Sequence, residues 1–171
     1  MRTITTNLYE FKELSKEAQD VAIELVTPYA YKTGHDCEWE EANQVIKDFE
    51  KLSRVHADIE WSSHGYYCNH ITDYVGDLTD EEDVEYWGML KDKIFAWSAD
   101  GGYWEDELRK QFLKFVLDTN KSYQRNVANF LVEFCESVDE YCLCYYDRDN
   151  AKSYIRSNDL EFYEDGTAYN F

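Results

Sequence analysis

Thirty-six Asp and Glu residues set the chemistry this sequence can do, against only 17 Lys and Arg. Asp73, Asp77, Asp80, Glu81, Glu82, Asp83 and Glu85 follow one another with no intervening basic residue. Glu133, Glu136, Asp139 and Glu140 form a second set that continues to Asp147 and Asp149. On a helix, side chains three or four residues apart lie about 5–6 Å from each other. That approaches the charge density of a nucleic-acid duplex, about one charge per 1.7 Å of axis. Rows of this kind can occupy a basic groove that normally holds DNA or RNA. The competing account is structural: Asp and Glu favour first turns through the helix dipole, and charges fill solvated faces.

Other reactive residue types are present without the spacing that chemistry needs. His35 and Cys37 form H-x-C, His64, Cys68 and His70 form H-x3-C-x-H, and Cys142 with Cys144 forms C-x-C. Structural zinc sites prefer C-x2–4-C or H-x3–5-H pairs, and no such pair of pairs occurs. Cys135 and Cys142 fit an apolar helical stripe, where a thiol acts as a small hydrophobe. Asp147-Arg148-Asp149-Asn150 starts like a calcium loop, but Ala151 and Lys152 replace a ligand and the required glycine. A Cys68 nucleophile with His64 or His70 as base has no motif to fix its geometry. Asp73 and Asp77 with the run from Asp80 to Asp83 could hold Mg²⁺, yet no Lys or Arg nearby would grip a phosphate. The sequence therefore predicts no catalytic residue, no metal and no cofactor.

The bulk numbers point the same way. A formal charge of −19 repels nucleic acid and anionic membrane and attracts basic surfaces. Direct binding of nucleic acid is not expected. With 44% apolar residues and 15 Tyr, 9 Phe and 5 Trp, the chain has the means to build a dense core. That many aromatics is also compatible with a homodimer burying part of them. The start Met1-Arg2-Thr3-Ile4-Thr5-Thr6-Asn7 lacks an apolar leader, no run reaches membrane-spanning length, and the cysteine count is an odd five. The expectation is a soluble protein of the host cell cytoplasm with reduced thiols. A length of 171 residues fits a single domain, 1–171.

The elements that must position these residues follow from periodicity. Thr3 to Phe11 is β-rich. Ser15 reads as an N-cap, and Ala18, Val21, Ala22 and Leu25 predict a helix that stops before Pro28. Trp39, Ala42, Val45, Ile46, Phe49 and Leu52 predict a second helix. Ala57 to Tyr74 reads as two strands joined around His64-Gly65. Thr79 and Glu82 fit a capping box, followed by a helix burying Val84, Trp87, Leu90, Ile94 and Trp97 and stopping at Asp100-Gly101-Gly102. Leu108, Phe112, Phe115 and Val116 mark another helix, and Val127, Phe130, Leu131, Phe134, Val138 and Tyr141 a long one over Tyr123 to Tyr145. Asp147 can cap a short helix, and Asp165-Gly166 a closing hairpin. The fold class is α+β, with about five or six helices packed on a small antiparallel sheet.

Two stretches, Leu14–Ile23 and, near the other end, Ser153–Asn158 with Phe162–Gly166, resemble a family of small phage and prophage proteins without an established activity. Leu14-Ser15-Lys16-Glu17-Ala18-Gln19-Asp20-Val21-Ala22-Ile23 is similar to its N-terminal L-S-x-E-A-x-x-x-A-I helix. Ser153-Tyr154-Ile155-Arg156-Ser157-Asn158 and Phe162-Tyr163-Glu164-Asp165-Gly166 are similar to its closing helix and F-x-E-D-G strand. The resemblance implies a phage setting, in which small acidic proteins often block host defence enzymes. Combined with the charge, it leads to an expected function: a phage-type inhibitor binding a host nucleic-acid-handling protein, a CRISPR effector or restriction enzyme, as an acidic mimic. The alternative is an antitoxin-like or assembly-interaction protein that binds one protein partner through an aromatic face.

Overall fold

Apolar residues three and four apart along the second half of the chain dictate its longest buried stripe. Tyr123, Val127, Phe130, Leu131, Phe134, Val138 and Cys142 all lie on the buried face of one helix. The protein's structure, a computed structural model, describes residues 7–62, 65–73, 80–97 and 102–169, with the backbone alone at Trp61, Ser62, Asp73, Asp80, Glu81 and Asp83. The elements run β1 (Tyr9–Glu10), α1 (Lys16–Ser53), β2 (Val55–Ser62), β3 (Gly65–Asp73), α2 (Asp80–Ala96), α3 (Tyr103–Lys114), α4 (Tyr123–Cys142), α5 (Arg148–Ser157) and β4 (Glu161–Phe162). This is an α+β fold, as the periodicity predicts. Instead of one sheet, the described residues form two antiparallel pairs, β1 with β4 and β2 with β3.

The chain groups into two compact units. One comprises the residues up to Cys37 and those from Tyr141 onward, the other Glu38–Glu140. Both long helices, α1 and α4, contribute residues to each.

In the first unit, the two ends of the sequence share a core. Leu14, Ala18, Ala22 and Val26 from the start of α1 pack with Ile155 of α5 and Phe162 of β4. The two stretches that carry the family resemblance therefore meet in one cluster. Gly166 makes this closure possible, because its φ of 87° suits glycine and a methyl group there would lie 2.1 Å from the Ala18 carbonyl oxygen. Asp147 caps α5 by accepting a hydrogen bond from Asn150 N at 2.6 Å. The Asp165-Gly166 turn returns the chain, with Tyr163 N donating to Thr167 O at 2.8 Å and Phe162 bridged to Ala168.

Two helices were expected on either side of Pro28, yet α1 runs through it. Proline deprives the Glu24 carbonyl of its partner. Glu24, Leu25, Pro28 and Tyr29 are all exposed, so water can take that place, while Ala22, Ile23, Val26 and Ala30 stay buried opposite. Val21 and Leu25, expected inward, are consequently on the exposed side. Six residues beyond Pro28, Gly34 lies beneath the Tyr145 ring, which a methyl group there would meet at 2.5 Å.

The second unit is built on aromatic edges. Phe49 of α1 lies 5.5 Å from Phe112 of α3 and 5.2 Å from Phe130 of α4, and Phe112 meets Phe130 at 5.1 Å in a T-shaped contact. Trp87 of α2 joins at 4.8 Å from Phe112. Such offset and edge-on pairs are favoured by the ring quadrupole. The Tyr123 hydroxyl donates to Ser53 O at 2.8 Å, tying the start of α4 to the end of α1. Buried Asn126 closes the 115–122 connection, accepting from Asp118 N and donating to the carbonyls of Asp118, Lys121 and Ser122. The β2–β3 hairpin pairs Val55 with Asp73 through Ser62 with Gly65, with an irregularity at Asp58/Ile59.

Three other inward assignments differ. Val84, Val116 and Tyr141 are exposed, because each lies at the edge or beyond the end of its apolar stripe. The helix expected to reach Tyr145 tightens into a 3-10 turn over Leu143–Tyr145. Thr79 of the proposed capping box and the Asp100-Gly101 part of the stop signal lie outside the described residues.

Replacing a helical glycine by alanine ordinarily gains about 1 kcal/mol. At Gly34 the sign should reverse, since the Tyr145 ring must move and overpacking costs about 1–3 kcal/mol. Gly34→Ala is expected to lower Tm by calorimetry, and the loss should shrink when Tyr145→Ala is added. A single variant melting higher than wild type would contradict the close approach.

Candidate functional site

Helix α4 turns its acidic set outward because its apolar stripe fixes the opposite face. Glu133, Glu136 and Glu140, spaced three and four residues apart, are exposed, and Asp139 is half-buried beside them. Among the described residues Glu133, Glu136 and Glu140 form no ion pair. Partial burial holds the Glu133 carboxyl above the usual carboxylate range, the charge of Glu136 raises it further, and Lys121 opposes both. Two of these carboxylates thus feel each other electrostatically. The Glu136 carboxylate also borders the hairpin, since a methyl group on Gly65 would lie 3.1 Å from its Oε1.

The first acidic run is only partly described. Asp77 lies outside the described residues, and Asp73 closes β3. Asp80, Glu81, Glu82, Asp83 and Glu85 occupy the first turns of α2, where the helix dipole favours them, and Glu82 and Glu85 are exposed. Helix α2 meets α4 through Tyr86 and Trp87, which lie 5.8 and 6.3 Å from the Tyr123 ring. At the helical rise, Glu133 to Glu140 sit roughly 15–26 Å further along α4 than Tyr123. The residues of α2 that meet α4 at Tyr123 thus do so at its start, away from Glu133–Glu140.

The residue types for nucleophilic or metal chemistry do not converge among the described residues. No group of three or more His, Cys, Asp or Glu is placed to hold a metal ion there. His64 lies outside the described residues. Cys68 donates its S–H to the backbone carbonyl of His70 at 3.2 Å rather than to an imidazole, and burial pushes its pKa up despite nearby Arg125. The Cys135 thiol is pushed up to about 12, mainly by burial, with Glu136 and Glu50 adding to it. A thiol so held is protonated at neutral pH and is a poor nucleophile. Asp147 and Asp149 serve α5, as its cap and as the partner of Lys152 at 2.9 Å.

Some carboxylates have structural duties that the sequence reading did not assign. Glu38 accepts the indole N–H of buried Trp104 at 2.8 Å. Glu50 accepts from Ala57 N at 3.0 Å and pairs with His56 Nδ1 at 2.8 Å. Its position on the inner edge of the Ile46–Phe49–Ser53 face was the available signal, since a charge beside a buried stripe needs a partner.

No known protein family, curated protein or solved structure matches the chain.

Removing the neighbouring charge should release part of the Glu133 shift. In Glu136→Gln the Glu133 carboxyl is expected to titrate at lower pH than in wild type, read by carboxyl-carbon NMR, while burial keeps it above the ordinary value. An unchanged titration would mean the two side chains are not neighbours. Thiol labelling of the native protein should modify exposed Cys37 and Cys144 within minutes and spare Cys135 and Cys142 until it is unfolded.

Proposed function

We propose that the protein is a phage-type counter-defence inhibitor that occupies the basic nucleic-acid groove of a host enzyme, a CRISPR effector or restriction enzyme. The carrying observation is the exposed stripe Glu133, Glu136 and Glu140 on α4, without ion pairs among the described residues, in a chain of net charge −19. Carboxylates outside any ion pair remain available to a partner's Lys and Arg, with Lys121 acting on Glu133 without pairing with it. The α2 residues Asp80, Glu81, Glu82, Asp83 and Glu85, with Asp73 and Asp77 before them, would add a second row. An acidic face of this kind steers association with a basic groove and gives binding that weakens with salt. The proposal places the protein in the host cytoplasm. No helix among the described residues is long and apolar enough to cross a membrane.

A second reading rests on a different observation. Helix α2 leaves Phe95 75% and Val84 57% exposed, an apolar surface that an antitoxin-like or assembly-interaction protein could press against one partner. Binding through that face would resist salt and be lost on aromatic substitution.

Charge reversal separates the two. Glu133→Lys, Glu136→Lys and Glu140→Lys combined, and separately Asp80→Lys, Glu82→Lys and Asp83→Lys, are expected to weaken capture of the host enzyme at least tenfold. Wild-type complexes should elute over moderate salt, with the far-ultraviolet spectrum unchanged in each variant. Retention by both triple variants together with loss in Phe95→Ser would overturn the mimic and favour the apolar face.

A further inference from the structure

At the carbonyl end of α1 this acidic chain gathers basic side chains around a hollow. A cleft of about 650 Å³ is lined by Gln44, Lys47, Lys51, Arg54 and His56, with Glu50 as its acidic member. Gln44, Lys47 and Lys51 follow one another at helical spacing, and Arg54 comes next as the chain leaves α1. Lys47 and Arg54 are exposed and form no ion pair among the described residues, whereas Lys51 bonds Asp48 at 2.7 Å. The Glu50 carboxylate is occupied by Ala57 N and His56 Nδ1, with its side chain only 13% exposed. That contact fixes the imidazole and leaves Nε2 as its other hydrogen-bonding atom. Arg54 also lines an adjoining small cavity that Lys93 shares.

Cations near a helix end are ordinary, since the dipole favours them. The choice of residue at position 54 is not. Arg54 has a φ of 59°, the left-handed conformation that follows a helix and that glycine or asparagine adopts at least cost. Dipole compensation does not require arginine there, because Lys51 already stands in the last turn. A long cation held in an unfavourable backbone conformation at the rim of a cleft points to a role beyond stability.

We infer that this cleft binds a compact ligand bearing two or three phosphate groups. Lys47 and Lys51 would supply point charges and the Arg54 guanidinium a bidentate fork, while the Gln44 amide donates to Asp48 Oδ2 at 3.2 Å and holds that carboxylate beside Lys51. Compactness follows from the field of the whole chain, which repels a long polyanion but admits a small one to a local positive site. The α1 carbonyl end itself opposes an anion, so the side chains must carry the binding. This site is independent of the acidic faces and of what they bind.

The test is calorimetric titration of the full chain with inorganic pyrophosphate at low ionic strength. Saturable one-to-one binding is expected, weakened at least tenfold in Lys47→Glu and unchanged in Lys114→Glu, the same charge change on α3. Arg54→Gly is the discriminating variant: glycine relieves the left-handed turn, so Tm should rise while pyrophosphate affinity falls at least fivefold. An Arg54→Gly protein that binds as well as wild type, or a wild type that shows no saturable binding, overturns the site. A nucleoside triphosphate binding as tightly as pyrophosphate or tighter supports a small ligand. A short single-stranded oligonucleotide binding tighter than both would overturn its compactness and make the phosphate source a nucleic-acid strand.

Discussion

Thirty-six carboxylates on one chain repel each other, and the folded state has to bury enough apolar area to overcome that repulsion. Phe49, Phe112 and Phe130 do this at the junction of α1, α3 and α4, with Trp87 from α2 against them. Fully burying a side chain of this size contributes about 1.5–3 kcal/mol, and edge-on ring pairs add about 0.5–1.5 kcal/mol. The ion pairs cannot substitute, because they are largely exposed, such as Lys12 with Glu10 and Lys51 with Asp48. The aromatic composition is thus the counterpart of the charge.

Once the rings are inside, the polar groups they carry and the loops they join must be satisfied. Tyr123 and Trp104 solve this by reaching Ser53 O and Glu38, and Asn126 by taking over the hydrogen bonds of the turn before α4. Leaving any of these groups buried and unpaired would cost about 1–3 kcal/mol. The first unit uses close backbone contact instead. Gly34 lets a Tyr145 ring lie on α1, and Gly166 lets the closing turn touch the Ala18 carbonyl.

The same packing distributes the charge. With its apolar stripe inward, α4 has only one face on which Glu133, Glu136 and Glu140 can stand, and the Glu133 pKa is raised there by partial burial first and by the Glu136 charge second. The acidic residues of α2 and α4 and the basic residues at the end of α1 belong to one unit. A partner's basic groove and a small anion would therefore address different parts of it.

By itself the sequence determined the helix stripes of α2, α3 and α4, the β2–β3 hairpin, the Asp147 cap and the closing turn. Each of these depends on neighbours within a few residues, where periodicity and turn chemistry act. The acidic rows were legible for the same reason. Continuity of α1 through Pro28 was not, because it depends on which side of the helix faces water. Nor was the meeting of the Leu14–Ile23 and Phe162–Gly166 stretches in one core, a contact across most of the chain. The duties of Glu38 and Glu50, which remove two carboxylates from any binding surface, were equally hidden. Lys47, Lys51 and Arg54 could be read at helical spacing, but a cleft between them and His56 exists only because the chain reverses at Arg54 into β2. That reversal rests on a left-handed residue, which spacing does not reveal and tertiary structure alone decides.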